Sequence, residues 1–379
     1  MNKIPFNVPF TAGTEIAYMQ DAIESGKLSG DGKYTKLTNQ LLEGQTGARK
    51  VLLTTSCTHA LELAALLFNI QAGDEVIMPS YTFVSTANPF VLRGATVIYV
   101  DIHPGTMNID ERLIEAAITP RTKAIVPVHY GGVGCNMEVI LDIAQRHNLY
   151  VVEDAAQCIG SSYKGKALGT LGHLGAISFH DTKNLHCGEG GALLINDPAF
   201  IQRAEIIREK GTNRTKFLRG EIDKYTWVDM GSSYLPSELN AAFLYGQLQE
   251  VKRVTSTRRD LWEQYRERLE PLAEAGRIAL ADLTAGSHNG HLFFIKCQDI
   301  EDRQNLIDYL KQQDIHTVFH YIPLHSAIAG HATGTFHGQD IHTTKESERL
   351  LRLPLWVGLG EDDINRVCSA IESYYGQPD

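Results

Sequence analysis

Between residues 50 and 196 the chain alternates short apolar runs with longer amphipathic stretches, and no other feature restricts its fold as much. The runs are Val51-Leu52-Leu53, Glu75-Val76-Ile77-Met78, Thr96-Val97-Ile98-Tyr99-Val100, Lys123-Ala124-Ile125-Val126-Pro127-Val128 and Tyr150-Val151-Val152. Between them, residues 60–68, 85–92, 111–118 and 137–147 have helical spacing. Strands apolar on both faces, alternating with helices, predict an α/β fold with a mostly parallel sheet covered by helices. Such sheets hold ligands at the carboxyl ends of their strands, so chemistry is expected just after each apolar run.

A polar stretch, 210–229, follows, and then one long helix is predicted over 237–269. Residues 251–379 read as a smaller lobe, with a strand at 291–295, a helix at 302–313, the short run Thr317-Val318-Phe319 and a closing helix at 361–375. The segment 326–344, rich in Gly, His and Thr, is expected to be an exposed loop. A chain of 379 residues suits this division into a large domain, 1–250, and a small C-terminal α/β domain, 251–379.

Charge narrows the function classes. Against 45 acidic residues stand 35 basic ones, a net charge of -10, which argues against nucleic acid as a partner. The six cysteines form no C-x-x-C pair, so neither a zinc knuckle nor a disulfide framework is expected, and a reducing cytoplasm suits them. The opening residues lack the apolar core of a signal peptide, and no stretch approaches the roughly 18 apolar residues of a membrane span. A cytoplasmic protein with no membrane partner is the expectation.

Asp154 follows the run ending at Glu153, and Lys183 follows Gly175-Ala176-Ile177-Ser178-Phe179-His180, so both belong at the mouth of the sheet. A lysine in a partly desolvated pocket gives up its proton readily and can form a Schiff base with an aldehyde. Pyridoxal phosphate needs such a lysine, together with a carboxylate that keeps its ring nitrogen protonated. A surface lysine and a helix-capping aspartate fit the same spacing, which alone does not decide. Thr54-Thr55-Ser56-Cys57-Thr58-His59-Ala60 runs from a strand into a helix, where N–H groups and hydroxyls suit an anion as well as ordinary capping. No G-x-G-x-x-G or G-K-[ST] loop follows a strand, which weighs against dinucleotide and nucleoside-triphosphate sites. His316, His320 and His325 lie in an extended segment without the Glu of H-E-x-x-H, so no metal is expected. The basic stretch Arg208, Lys210, Arg214, Lys216 and Arg219 suits either a solvated face or contact with a diphosphate.

Val151-Val152-Glu153-Asp154-Ala155-Ala156-Gln157 and Ser178-Phe179-His180-Asp181-Thr182-Lys183-Asn184 resemble the matching runs of the DegT/DnrJ/EryC1/StrS sugar aminotransferases. The resemblance extends over residues 73–83, Gly188-Glu189-Gly190-Gly191 and Leu353-Pro354-Leu355, and so spans essentially the whole chain. It implies a fold-type I, pyridoxal-phosphate-dependent homodimer with shared active sites. Lys183 would carry the cofactor and shuttle a proton, Asp154 would pair with the pyridinium nitrogen, and Gln157 would lie near the ring hydroxyl. Phe83 would stack on the ring, while Ser56, Cys57, Thr58 and Ser178 would hold the phosphate. The runs 78–88, 208–214 and 319–325 are similar to the subgroup that aminates C4 of a dTDP-4-keto-6-deoxyhexose with L-glutamate as donor. By that likeness His320 and His325 would line the sugar site; from the basic stretch, Lys210 and Arg214 are expected to meet the diphosphate across a dimer interface. Many members carry G-x-N-x-R where this chain has Gly231-Ser232-Ser233-Tyr234-Leu235; Ser233 would stand in for the Asn that reaches the partner's cofactor phosphate. A dehydratase branch has His in place of the lysine, and Lys183 favours transamination.

Overall fold

The computed structural model describes residues 2–282 and 287–376. Thirteen strands occur among them: β1 (Lys50–Thr54), β2 (Glu75–Pro79), β3 (Thr96–Val100), β4 (Thr122–Ile125), β5 (Tyr150–Asp154), the hairpin β6 (Ser162–Tyr163) and β7 (Lys166–Ala167), β8 (Leu174–Ser178), β9 (Gly191–Ile195), β10 (Ala279–Leu280), β11 (Phe293–Lys296), β12 (Gly334–Phe336) and β13 (Leu350–Leu353). Eight form one sheet in the order β1-β9-β8-β5-β4-β2-β3-β12, and β10-β11-β13 form a second. In the large sheet only β9 runs antiparallel to its neighbours.

Alternation along the strands explains the layering. Val51, Leu53, Ile77, Ile125, Val151 and Ile177 face one core, shared with the helices Met137–Arg146 and Glu238–Leu248. Leu52, Val76, Met78, Ala124, Val152 and Ala176 face the other, under the helices Cys57–Leu67, Val84–Val91 and Ile201–Arg208. Both faces are dry, as all-apolar strands require. A third core packs the helices Val251–Glu274, Ile300–Gln312 and Glu361–Tyr375 against the second sheet. Among the described residues no helix is long and apolar enough to cross a membrane.

Three expectations are corrected. The helix over 237–269 is two, Glu238–Leu248 and Val251–Glu274, with a fresh ladder starting where the Glu250 carbonyl accepts from Val254 N–H. The helix over 111–118 is a pair of single 3-10 turns, Glu111–Leu113 and Glu115–Ala117, the first capped by the Asp110 carboxylate. The loop over 326–344 holds the helix Ile328–Thr333 and then β12, paired in parallel with β3. Composition misled here for a physical reason. A Cβ on Gly334 would lie 2.5 Å from the Tyr99 ring and 2.7 Å from the Val97 carbonyl, so glycine permits the close approach. Asp101 then fastens the segment by accepting from Ile341, His342 and Thr343 N–H at 2.8–3.0 Å.

Candidate active site

Because β1, β2, β5 and β8 all run one way, the segments leaving them converge on one cavity of about 730 Å³. Ser56, Cys57 and Thr58 line it after β1, Phe83 after β2, Asp154 and Gln157 at and after β5, and Ser178 and Lys183 at and after β8. His320 joins them from the C-terminal third. Of the thirteen residues singled out from the sequence, these nine meet in one place.

One end of the cavity is built for an anion. Ser56 is extended and caps the helix Cys57–Leu67, its Oγ accepting from His59 N–H at 3.1 Å, and Thr58 Oγ1 donates to Ser85 Oγ at 2.8 Å. The first-turn N–H groups of that helix and its dipole favour negative charge. β9 passes directly against this turn: a Cβ on Gly191 would lie 2.3 Å from Cys57 N and from the Ser56 carbonyl carbon. Gly191→Ala is therefore expected to push the cup open, costing about 1–3 kcal/mol of stability and weakening pyridoxal phosphate binding at least about tenfold. Thermal melts and a fluorescence titration of the cofactor-free protein check both; undiminished affinity would show that the cup tolerates the methyl group.

The cavity also carries a carboxylate. Glu153 and Asp154 are adjacent, yet strand alternation sends them to different faces. Glu153 is buried and accepts from the backbone N–H groups of Gly169, Leu171 and Gly172 at 2.6–2.8 Å, with His129 Nε2 at 2.9 Å. It is structural. Asp154 faces the cavity, with Oδ2 accepting from Thr86 Oγ1 at 2.6 Å and Oδ1 from Ala156 N–H at 3.2 Å. Thr86 is in turn 2.6 Å from Thr82 Oγ1, so a hydroxyl pair fixes the carboxylate.

Lys183 is half-buried and lines the same cavity. Burial pushes its amine below the ordinary lysine range, while the Asp154 carboxylate pulls the other way. Its loop is anchored by Asn184, whose Nδ2 donates to the Asn289 carbonyl at 3.1 Å and whose Oδ1 lies 2.9 Å from His291 Nδ1. Asn289 also donates to the carbonyls of Gln157 and Ile159, tying the lysine loop to the segment after Asp154. Gln157 accepts from Gly131 N–H at 2.6 Å and donates to the Tyr321 hydroxyl at 3.0 Å. Burial pushes the Cys57 and Cys158 thiols well up, so both stay protonated beside the lysine.

An aromatic wall closes the cavity. The Tyr130 hydroxyl is 2.7 Å from His320 Nδ1 and 3.3 Å from the Tyr81 hydroxyl, and the His320 ring stacks on Tyr321 with centroids 3.6 Å apart. The Phe83 ring centroid stands 6.0 Å from that of Tyr321, and Phe83 is exposed while lining the cavity. Burial, then the charges of Arg352 and Lys183, hold His320 well below the ordinary histidine value; His291 is held down likewise by burial and Lys183. Burial also lowers His288, to about 4. All three are neutral in the fold and protonate readily once unfolded, so the unfolded chain binds more protons just below pH 6.5. Stability is expected to fall as pH drops through that window, by up to about 1.4 kcal/mol per pH unit for each histidine. Urea titrations at pH 7.0 and 5.5 read it, and equal midpoints would contradict it.

Four residues singled out from the sequence lie outside the cavity lining. His325 was expected beside the sugar; instead it sits beside β12, with Nδ1 2.7 Å from Ser80 Oγ, Nε2 3.1 Å from Asp340 and its ring against Phe336. Both ring nitrogens are engaged, so packing accounts for it. Lys210 and Arg214 pair with Glu209 at 3.4 and 3.0 Å, and Ser233 is exposed in a backbone bridge to the same residue. Sequence reasoning missed Thr86, Tyr130, Asn289, His291, Tyr321 and Arg352. His103, Asp110 and Glu111 group their ligand atoms within 4.8 Å, but Arg112 pairs with Asp110 and His103 is hydrogen-bonded to Glu111, which accounts for the cluster without a metal.

The residues present fit pyridoxal phosphate. A helix N-terminus with hydroxyls suits its phosphate, Asp154 its ring nitrogen, Gln157 its ring hydroxyl, and a depressed lysine amine its aldehyde. This site on this α/β sheet defines a pyridoxal-phosphate-dependent aminotransferase. Residues 10–372 match the model of the DegT/DnrJ/EryC1/StrS aminotransferase family, and the chain belongs to that family. It is 32% identical over 376 residues to the spore coat polysaccharide biosynthesis protein SpsC of Bacillus subtilis (strain 168), covering 97% of this chain and 96% of SpsC. Among solved structures it is similar to the aminotransferase TlmJ from Streptoalloteichus hindustanus, with a TM-score of 0.90, 27% identity and coverage of 98% and 99%. The PLP-form of Spr1654 from Streptococcus pneumoniae superposes with a TM-score of 0.88 at 25% identity, covering 99% of each chain.

Proposed function

We propose that the protein transfers the amino group of L-glutamate to C4 of dTDP-4-keto-6-deoxy-D-glucose, giving dTDP-4-amino-4,6-dideoxy-D-galactose for a surface polysaccharide. The observation that carries the amino-transfer reading is the placement of Lys183 and Asp154 in one cavity with a hydroxyl-rimmed helix N-terminus. The bound cofactor supplies an electron sink and a temporary carrier for the amino group. Lys183 Nζ moves one proton off the donor carbon in the first half-reaction and one onto C4 of the sugar in the second. Water taken up as 2-oxoglutarate leaves is returned when the ketone oxygen departs. Asp154, held by Thr86, keeps the ring nitrogen protonated, and the aromatic wall with His320 keeps bulk water from the reacting carbon.

The C4 assignment is supported by the likeness of residues 78–88, 208–214 and 319–325 to the C4-aminating subgroup, and by His320 facing the cavity. The active unit is a cytoplasmic homodimer. Lys210, Arg214 and Ser233, which lie outside this chain's own cavity, serve the site of the second copy at the nucleotide diphosphate and cofactor phosphate. The large domain ends near residue 250, at the break between the helices Glu238–Leu248 and Val251–Glu274. NMR of the product from L-glutamate and dTDP-4-keto-6-deoxyglucose tests the reading. An axial amine at C4 is expected; an equatorial amine assigns gluco configuration, and no aminated sugar sends the search to the 3-ketosugar.

A further inference from the structure

Three cationic side chains line the cavity among the described residues: Lys183, Arg258 and Arg352. Arg258 is buried and donates through Nε to the Gly290 carbonyl and through Nη2 to those of His291 and Leu355, so its Nη1/Nη2 fork is taken up in holding the backbone. Arg352 differs. Alternation along β13 sends Leu351 and Leu353 into the third core and turns Arg352 to the cleft. Its backbone is held on both sides, by pairing with Phe294 of β11 and by two hydrogen bonds with Val318. Its guanidinium is held as well: Nε and Nη2 donate to the Phe319 carbonyl at 3.3 and 2.9 Å, and the cation lies 4.8 Å from the Phe6 ring centroid. One edge and one face are therefore fixed, while Nη1 makes no hydrogen bond to any described residue. The free edge, Nη1 with the second hydrogen of Nη2, is the fork that takes a carboxylate in two parallel bonds.

We infer that Arg352 is the receptor for the α-carboxylate of the amino donor. An α-carboxylate is one bond from the carbon that loses its proton, so its receptor must share the cavity with Lys183. The charge of Arg352 is close enough to lower the proton affinity of Lys183, His291 and His320. A nucleotide diphosphate is separated from C4 by the hexose ring and is met further out. The guanidinium thus selects α-amino acids over simple amines, while the uncharged sugar ring rests on the aromatic wall.

This inference rests on the amino-transfer reading, and the two half-reactions separate them. With full-length holoenzyme, Arg352→Gln is expected to raise the L-glutamate concentration for half-maximal conversion of the cofactor at least about tenfold, leaving the nucleotide-sugar KM within about twofold. Arg352→Lys, which keeps the charge but loses the fork, should recover only part of that loss. Calorimetric titration of maleate, a dicarboxylate with no amine to transfer, should show the same weakening without turnover. An unchanged glutamate response overturns the assignment, as does a larger effect on the nucleotide sugar, which would hand Arg352 to the diphosphate. Conversion of the wild-type cofactor by L-glutamate, with no ketosugar aminated afterwards, would sink the acceptor proposal and leave this one standing.

Discussion

Lys183→Ala is expected to abolish amino transfer and the visible absorbance of the lysine-bound cofactor together, with kcat reduced at least about a thousandfold. Among the described residues Lys183 is the only lysine that lines the cavity, so no neighbouring amine there stands ready to replace it. Burial makes it a good nucleophile and a good proton carrier for one reason: the charged form is disfavoured where water is scarce. The helix Cys57–Leu67 does not depend on the amine and should still hold the phosphate, so the variant remains a cofactor-binding protein without turnover. Equilibrium dialysis beside a spectrum separates the two losses. Turnover retained by Lys183→Ala would remove the lysine from the mechanism.

Asp154→Asn is the second large effect, with kcat falling roughly a hundredfold or more and the fold left intact. Asn keeps the shape but offers no negative charge to hold a proton on the ring nitrogen, so the electron sink weakens. The neighbours limit structural damage, because Ala156 N–H can still donate to the amide oxygen while the Thr86 hydroxyl can turn to accept from the amide NH2. Asp154→Ala adds a different cost. It strands the buried Thr86 hydroxyl, at about 1–3 kcal/mol. The pair is read by kcat against urea midpoint: both variants lose rate, and only the alanine should lose stability. Equal loss of stability in both would make Asp154 a structural residue like Glu153.

The parallel sheet and the placement of Asp154 and Lys183 at its carboxyl edge were legible in the sequence because they follow from local pattern. All-apolar runs predict a parallel sheet, its carboxyl edge predicts where ligands sit, and Asp154 and Lys183 both fall there. Thr86, Tyr321 and Asn289 were not legible, since hydroxyls and amides show their function only when their partners are in view. Arg352 did leave a trace. It is the one charge in the strand Leu350–Leu353, and a cation in so apolar a strand must face something other than core. His325 shows the other limit: its place in the sequence does not reveal that Ser80 and Asp340 hold both its ring nitrogens. The segment 326–344 was misread because its glycines signal close packing against β3 as readily as they signal a turn.

The pairing of β12 with β3 bears on how the chain is made. An unpaired sheet edge is a template for another chain, and β12 covers this one. Yet β3 ends at Val100 and β12 begins at Gly334, so about 230 residues emerge from the ribosome between them. At roughly 5–20 residues per second the edge stays bare for about 12–46 seconds. Nascent chains of this protein therefore carry a window of self-association that the finished molecule does not, and its yield on expression should respond to chaperone supply and translation speed more than its final stability suggests.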